Sequence, residues 1–206
     1  MMELRRLTNA VVPLCGKPLQ PTFLQGIKMQ TIKLTKRNLD KAKKLAEARD
    51  EKKAKFGHGR HGKLRKSSYN SHYIGLLGEI ALGKALNQKI DEKIYDSSGD
   101  DGYDFTVGGK TLDVKTSAHE MAWDDPLLKV PCQTQKDVDK LEKSDIFVAV
   151  SLNEKTNEVR VWGWVDRATL MNRKPRSLRL RSGGFGPMNY IVGKDEFRPI
   201  EDLAQV

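Results

Sequence analysis

Cysteine is scarce in this chain, with Cys15 and Cys132 the only two among 206 residues. They are far apart and form no CxxC pair, so neither a disulfide framework nor a cysteine zinc site is expected. Long apolar runs are also missing. No stretch approaches the roughly 18 residues that a membrane-spanning helix needs, which argues against membrane insertion. Residues 1–30 lack the unbroken apolar core of a secretory signal, because Pro13, Gly16, Pro18, Pro21 and Gly26 interrupt them. A cytoplasmic protein is therefore expected. The same residues show no sustained period and read as an arm or disordered leader. That leaves 31–206 as one domain around one core, with a basic helix and loop over 31–66 and the core proper over 67–206.

Positive charge is plentiful, and its placement is uneven. The chain carries a formal charge of +10, and Lys33 to Lys66 alone holds 14 Lys or Arg against four acids, which equals the whole excess. Arg60, Lys63, Arg65 and Lys66 close this stretch. A second cluster, Arg173, Lys174, Arg176, Arg179 and Arg181, has no acidic neighbour from Met171 to Pro187. Concentrated positive charge favours a polyanionic partner, because neutralising phosphates releases their condensed counterions.

Periodicity outlines the elements. From Thr35, a plausible N-cap, Leu39, Ala42, Leu45 and Ala46 recur at helical spacing on a charged surface helix reaching about Lys55. The three glycines in Phe56–Lys63 then predict a mobile basic loop. A second helix is predicted over 69–88, apolar on most of its circumference and so largely buried. Strands are predicted around Ile94, at Tyr103–Val107, Lys110–Thr116, Ile146–Leu152 and Val159–Val165, with a Gly108-Gly109 hairpin turn between the second and third. Helical runs are expected at Gln135–Lys143 and Arg167–Met171. The order argues for a mixed central sheet flanked by helices, in which the hairpin supplies antiparallel neighbours and a helix supplies the crossover.

Chemistry concentrates on the third strand. In Leu112-Asp113-Val114-Lys115, successive side chains alternate between faces, so Asp113 and Lys115 share one side and aim a carboxylate and an ammonium at one spot. On the hairpin partner, Asp104 alternates with Tyr103 and Phe105, which allows it to stand near Asp113. Two carboxylates so close repel unless a cation lies between them. Glu79 interrupts the apolar surface of the second helix, where an unpaired buried carboxylate would be costly. Gly75, Gly78 and Gly83 sacrifice helix propensity, and what they gain is close approach of helix to sheet, bringing Glu79 toward the aspartates. Oxygen-only ligands suit a hard ion such as Mg²⁺ or Mn²⁺.

The string Gly78-Glu79-Ile80-Ala81 in a helix, then Asp100-Asp101-Gly102-Tyr103-Asp104-Phe105, then Asp113-Val114-Lys115, resembles the PD-(D/E)xK nuclease superfamily over roughly Tyr69 to Trp164. The superfamily includes restriction enzymes, Holliday-junction resolvases and small phage nucleases. The resemblance implies a restriction-endonuclease-like αβββαβ core, here with a basic helical N-terminal extension, in the cytoplasm of a prokaryotic or phage-infected cell. It implies that Asp104 and Asp113 bind the metal together with the Val114 carbonyl, that Lys115 is the motif lysine, and that Glu79 is the helical glutamate of the resolvase-like branch. No proline precedes Asp104, and the second acid is Asp rather than the commoner Glu. Some branches add a glutamine after the catalytic strand, and Gln133 and Gln135 lie near there.

The expected function is a Mg²⁺-dependent endonuclease acting on DNA, with the two basic clusters gripping the backbone. The rival reading is a basic DNA- or RNA-binding protein without catalysis. A branched-DNA resolvase is a third, and a homodimer would then be expected, because paired cuts need paired sites.

Overall fold

The computed structural model describes residues 29–55, 63–94, 101–179 and 183–205. Strand β1 (Gln30–Lys33) leads into helix α1 (Lys36–Lys55), and helix α2 (Lys63–Ala85) is followed by β2 (Phe105–Val107) and β3 (Lys110–Ser117). A 3-10 turn at Glu120–Trp123 precedes β4 (Leu127–Pro131), and α3 (Gln135–Glu142) precedes β5 (Ile146–Asn153) and β6 (Glu158–Asp166). Helix α4 (Arg167–Met171) then leads to β7 (Arg176–Arg179) and β8 (Phe185–Gly193). The expected mixed α/β architecture is present.

Five strands form the main sheet in the order β1-β6-β5-β3-β2. Only β3 and β5 run parallel, joined through a connection that contains α3, while β2 and β3 form the predicted hairpin through Gly108 and Gly109 at φ of 57° and 82°. One face of this sheet, with Leu112, Val114, Val148 and Val150, packs against Leu76, Leu77, Ile80 and Ala81 of α2 and Ala42 and Ala46 of α1. The other face, with Phe147, Ala149 and Val165, packs against Leu141 of α3, Leu170 of α4, and Leu128, Val130 and Val192 from a second sheet ordered β4-β8-β7. Two apolar layers thus sandwich one sheet, as a sheet with both faces covered requires.

Each of the first two helices has a local cause. Thr35 and Asn38 cap α1 reciprocally: the Asn38 side-chain oxygen accepts from the Thr35 N–H at 3.0 Å, and the Thr35 hydroxyl accepts from the Asn38 N–H at 3.4 Å. Helix α2 begins six residues before the predicted start and ends three before the predicted end. Gly78 sets its distance from the sheet, because a Cβ there would overlap the Thr116 side chain of β3.

No strand forms over 88–94, the described part of the segment where one was expected around Ile94. Ile90 is buried, but Ile94 is 42% exposed, so no alternating apolar face exists. The Asp91 carboxylate instead accepts the Lys93 N–H at 2.9 Å, a local turn that competes with strand pairing. The third strand before α3 is β4, which belongs to the second sheet. Trp162 and Trp164 also depart from simple alternation. A register shift in the β5–β6 pairing falls at Trp162, and Gly163, at φ of 149°, follows it. The extra residue reverses the facing beyond it, so Trp162 joins one apolar layer and Trp164 the other. Both are packing residues, as expected, each with its indole N–H satisfied: by Ser151 at 2.9 Å and by the Pro199 carbonyl at 2.8 Å. Among the described residues no helix is long and apolar enough to cross a membrane.

The Gly78 contact yields a stability prediction. Gly78→Ala gains about 1 kcal/mol of helix propensity but forces the helix off β3, with an overpacking cost of about 1–3 kcal/mol. A net loss is expected in urea unfolding. The loss should shrink in a Thr116→Ala background, and a stabilised Gly78→Ala protein would contradict the close-approach assignment.

Candidate active site

The site forms where β2 stops short. Its three residues pair only with Lys110 to Leu112, so among the described residues no strand pairs with the same edge of β3 from Asp113 onward. Backbone groups in a strand alternate in direction, so the Val114 N–H and C=O point outward from that edge. Asp104, just before β2, meets this need: its N–H donates to the Leu112 carbonyl at 2.7 Å, and its Oδ2 accepts from the Val114 N–H at 2.7 Å. The carboxylate thus continues the ladder where backbone pairing ends, and the Val114 carbonyl opens toward the same space.

Asp113 and Lys115 share a face, as period-two geometry requires. Register places them beside Phe147 and Ala149, on the α3 side of the sheet. The Lys115 ammonium is paired with the Asp113 carboxylate, with the two side chains 24% and 3% exposed. A pair this enclosed costs about 3–5 kcal/mol when one member is removed, because the other charge is left buried.

Glu79 projects from α2, which packs on the opposite face of the sheet, and its charge acts on Asp104. Its Oε1 lies 4.0 Å from where a Cβ at Gly75 would stand, so the side chain folds back along the preceding turn, the usual direction for a helical residue. The Asp104 side chain is half-buried, and its proton affinity is raised well above the ordinary carboxylate range. Burial is the main cause, followed by the negative charge of Glu79 and then that of Asp113; the Val114 hydrogen bond and the Lys140 charge oppose it. Glu79, Asp104, Asp113 and Lys115 therefore belong to one electrostatic group.

Helix α3 contributes residues that sequence reasoning missed. The Lys140 charge acts on the Asp104 carboxyl, and Asp137 lies within reach of the Lys115 charge. Asp137 is held below the usual carboxylate range: burial works against this, but hydrogen bonds from Thr134 and Gln133 and the Lys115 ammonium outweigh it. A capping box built by Thr134 and Asp137 fixes that end of the helix. Its Thr-x-x-Asp pattern was the available signal. Thr116 adds a buried hydroxyl with no hydrogen-bond partner among the described residues, pressed against Gly78.

Other expected participants are placed elsewhere. The Gln133 side chain accepts from the Met188 N–H at 3.3 Å, and Gln135 donates to Asp139 at 2.8 Å, so both glutamines are engaged outside the carboxylate group. Asp101 is exposed. Asp100, Arg60, Arg181 and the 56–62 loop lie outside the described residues, and of Lys63, Arg65 and Lys66 only the backbone, in the first turn of α2, is described. Several α1 cations act as struts: Lys41 pairs with Glu92, Arg49 donates to the Asp91 carbonyl at 3.0 Å, and Lys52 donates to the Ile94 carbonyl at 3.2 Å. Arg173 is held by Glu196 and the Ile191 carbonyl, whereas Lys174, Arg176 and Arg179 are exposed.

The donor set is all hard oxygen, which fits Mg²⁺ or Mn²⁺ by chemistry. Among the described residues, however, no group of three or more His, Cys, Asp or Glu side chains stands in a metal-holding arrangement. Asp104 commits one oxygen to Val114 and Asp113 one to Lys115.

The raised proton affinity of Asp104 gives a pH prediction. A carboxyl whose proton affinity is raised by folding adds stability below its unfolded value near 3.8, and that contribution is lost as pH rises toward its folded value. Asp104→Asn keeps an acceptor for the Val114 N–H but cannot ionise. With chelator present it is expected to be more stable than the parent at neutral pH, with the advantage vanishing below pH 3.8. Denaturant titrations at both pH values measure this, and an Asn variant less stable at neutral pH would refute it. Comparison with known proteins finds no family, no curated protein and no solved structure that matches the chain.

Proposed function

We propose that this chain is a metal-dependent endonuclease that hydrolyses DNA phosphodiester bonds on a restriction-endonuclease-like core. The observation that carries the reading is the Asp104 carboxyl, half-buried at the β3 edge and raised in proton affinity by desolvation, Glu79 and Asp113. Such a group relaxes when a cation joins it. Asp104, Asp113 and the Val114 carbonyl, with Glu79, would hold a divalent cation. When bound, that ion supplies Lewis acidity toward a phosphate oxygen and a lowered pKa for the attacking water.

The chain's own residues supply the rest. Lys115, moored by Asp113, places a positive charge where negative charge grows on the phosphate as water's oxygen bonds to phosphorus and the bond to the sugar oxygen breaks. Lys140 adds a second cation on the α3 side. Lys174, Arg176 and Arg179 offer phosphate contacts that position a strand without reading its bases. The mixed sheet is compatible with the reading, because the hairpin strand β3 lies parallel to β5, as the helical crossover read from the order of elements requires.

A second reading, nucleic-acid binding without catalysis, is favoured by one observation: the carboxylates are engaged by Val114 and Lys115 rather than arranged around an ion. Incubation with supercoiled plasmid, with Mg²⁺ or with chelator, separates the two. The nuclease reading expects cleavage only with metal, and losses of about 100-fold or more in Asp113→Asn and Lys115→Gln, with DNA affinity in chelator little changed. Cleavage that ignores metal, or that survives both substitutions, would overturn the site. Salt-sensitive binding with no cleavage would favour the second reading.

A further inference from the structure

Beyond β4, the second sheet narrows to two strands. Strand β4 pairs with Asn189 to Gly193 of β8 and its continuation reaches Met188, whereas Phe185, among the described residues, pairs only with β7. The result is a two-stranded ribbon whose outer part carries Arg179 and Phe185, with Arg176 and Met188 exposed at its base. A hairpin this short is marginal in water unless something packs on it. Yet Phe185 is 74% exposed, the largest exposure among the big apolar side chains of the described residues. The ribbon's register pairs Phe185 directly with Arg179.

The charge around this aromatic is one-sided. From Arg167 through Lys194 the sequence contains seven Lys or Arg and no Asp or Glu. Arg173 is anchored by Glu196 at the base, but Lys174, Arg176 and Arg179 stand in solvent. The base is joined to the carboxylate group. Met188 exchanges hydrogen bonds with Cys132 and Gln133, Thr134 next in sequence caps α3, and Asp137 on that helix lies within reach of the Lys115 charge. The ribbon therefore rises from the frame that holds the site.

We infer that the β7–β8 ribbon is a DNA-binding arm, with Arg176 and Arg179 on phosphates and Phe185 stacked against a base at a distorted point of the duplex. Exposed arginines on the ribbon can track the phosphates, and exposed apolar side chains on minor-groove-binding proteins insert at unstacked steps. Arginine suits the phosphate contacts, because its planar fork matches their geometry. This assignment rests on the nuclease reading for the identity of the polyanion, but not on the metal or on catalysis.

The test is binding of the full-length protein, in chelator, to a short fluorescein-labelled duplex over a series of salt concentrations. An Arg176→Ala/Arg179→Ala variant is expected to flatten the slope of log affinity against log salt by about 2. Phe185→Ala should weaken binding by about 10-fold with the slope unchanged, Phe185→Trp should restore it, and an aminopurine probe in the duplex should brighten with the parent but not with Phe185→Ala. Because these side chains are exposed, thermal unfolding should be unchanged, and a variant that unfolds early is replaced by Phe185→Ser or Arg→Gln. Equal affinity and slope across all variants would overturn the arm. Losses seen on phosphatidylserine vesicles but not on DNA would overturn it in favour of a membrane surface. Plasmid cleavage with Mg²⁺ tests the nuclease reading separately, so an arm that binds without cleavage and a site that cleaves without the arm are distinguishable.

Discussion

The hydrogen bond from the Val114 N–H to the Asp104 carboxylate holds the centre of this molecule together. Strand β3 lies between β5 and a partner that ends after three pairs, so without Asp104 an inner strand would carry an unsatisfied amide beside the core. The same bond fixes the carboxylate beside the Val114 carbonyl, within the fields of Glu79 and Asp113. Structural need and chemical opportunity therefore coincide at one oxygen atom. The cost is a half-buried carboxyl whose ionisation is opposed by desolvation, Glu79 and Asp113, offset only partly by the Val114 hydrogen bond and Lys140.

Around that bond, each neighbouring element is set by a specific residue. Gly78 lets α2 approach β3 closely, near enough for the Glu79 charge to act on Asp104, the Thr134–Asp137 box fixes the near end of α3, and the Asp113–Lys115 pair is enclosed by the second apolar layer. Such charged groups are stable only while the surrounding packing excludes rearrangement. The sandwich of two apolar layers supplies that packing.

Much of this was legible in the residues. Period-two alternation put Asp113 and Lys115 on one face, the Gly108-Gly109 turn put Asp104 beside them, and the glycines of α2 signalled close packing. What escaped has physical causes. Strands β1 and β7 are four residues long and β4 five, so their pairing is decided by neighbours distant in sequence rather than by their own pattern. Just before Ile94, the Asp91 carboxylate makes a local turn with the Lys93 N–H that competes with strand pairing. Charge counting along the chain placed Arg173 among free cations, because Glu196, which holds it, lies far along the sequence. Lys140 could not be assigned without knowing which way α3 faces.

The bulge at Trp162 has a further meaning for β6. By shifting the strand's parity once, it lets a single run of chain rivet both layers: Val161 and Trp164 serve the layer of α1 and α2, and Trp162 and Val165 the layer of the second sheet. The strand works as a two-sided bolt whose thread reverses midway. Length at this point therefore matters more than composition. A deletion there would turn every later side chain of β6 to the wrong layer, whereas many apolar exchanges would leave the bolt in place.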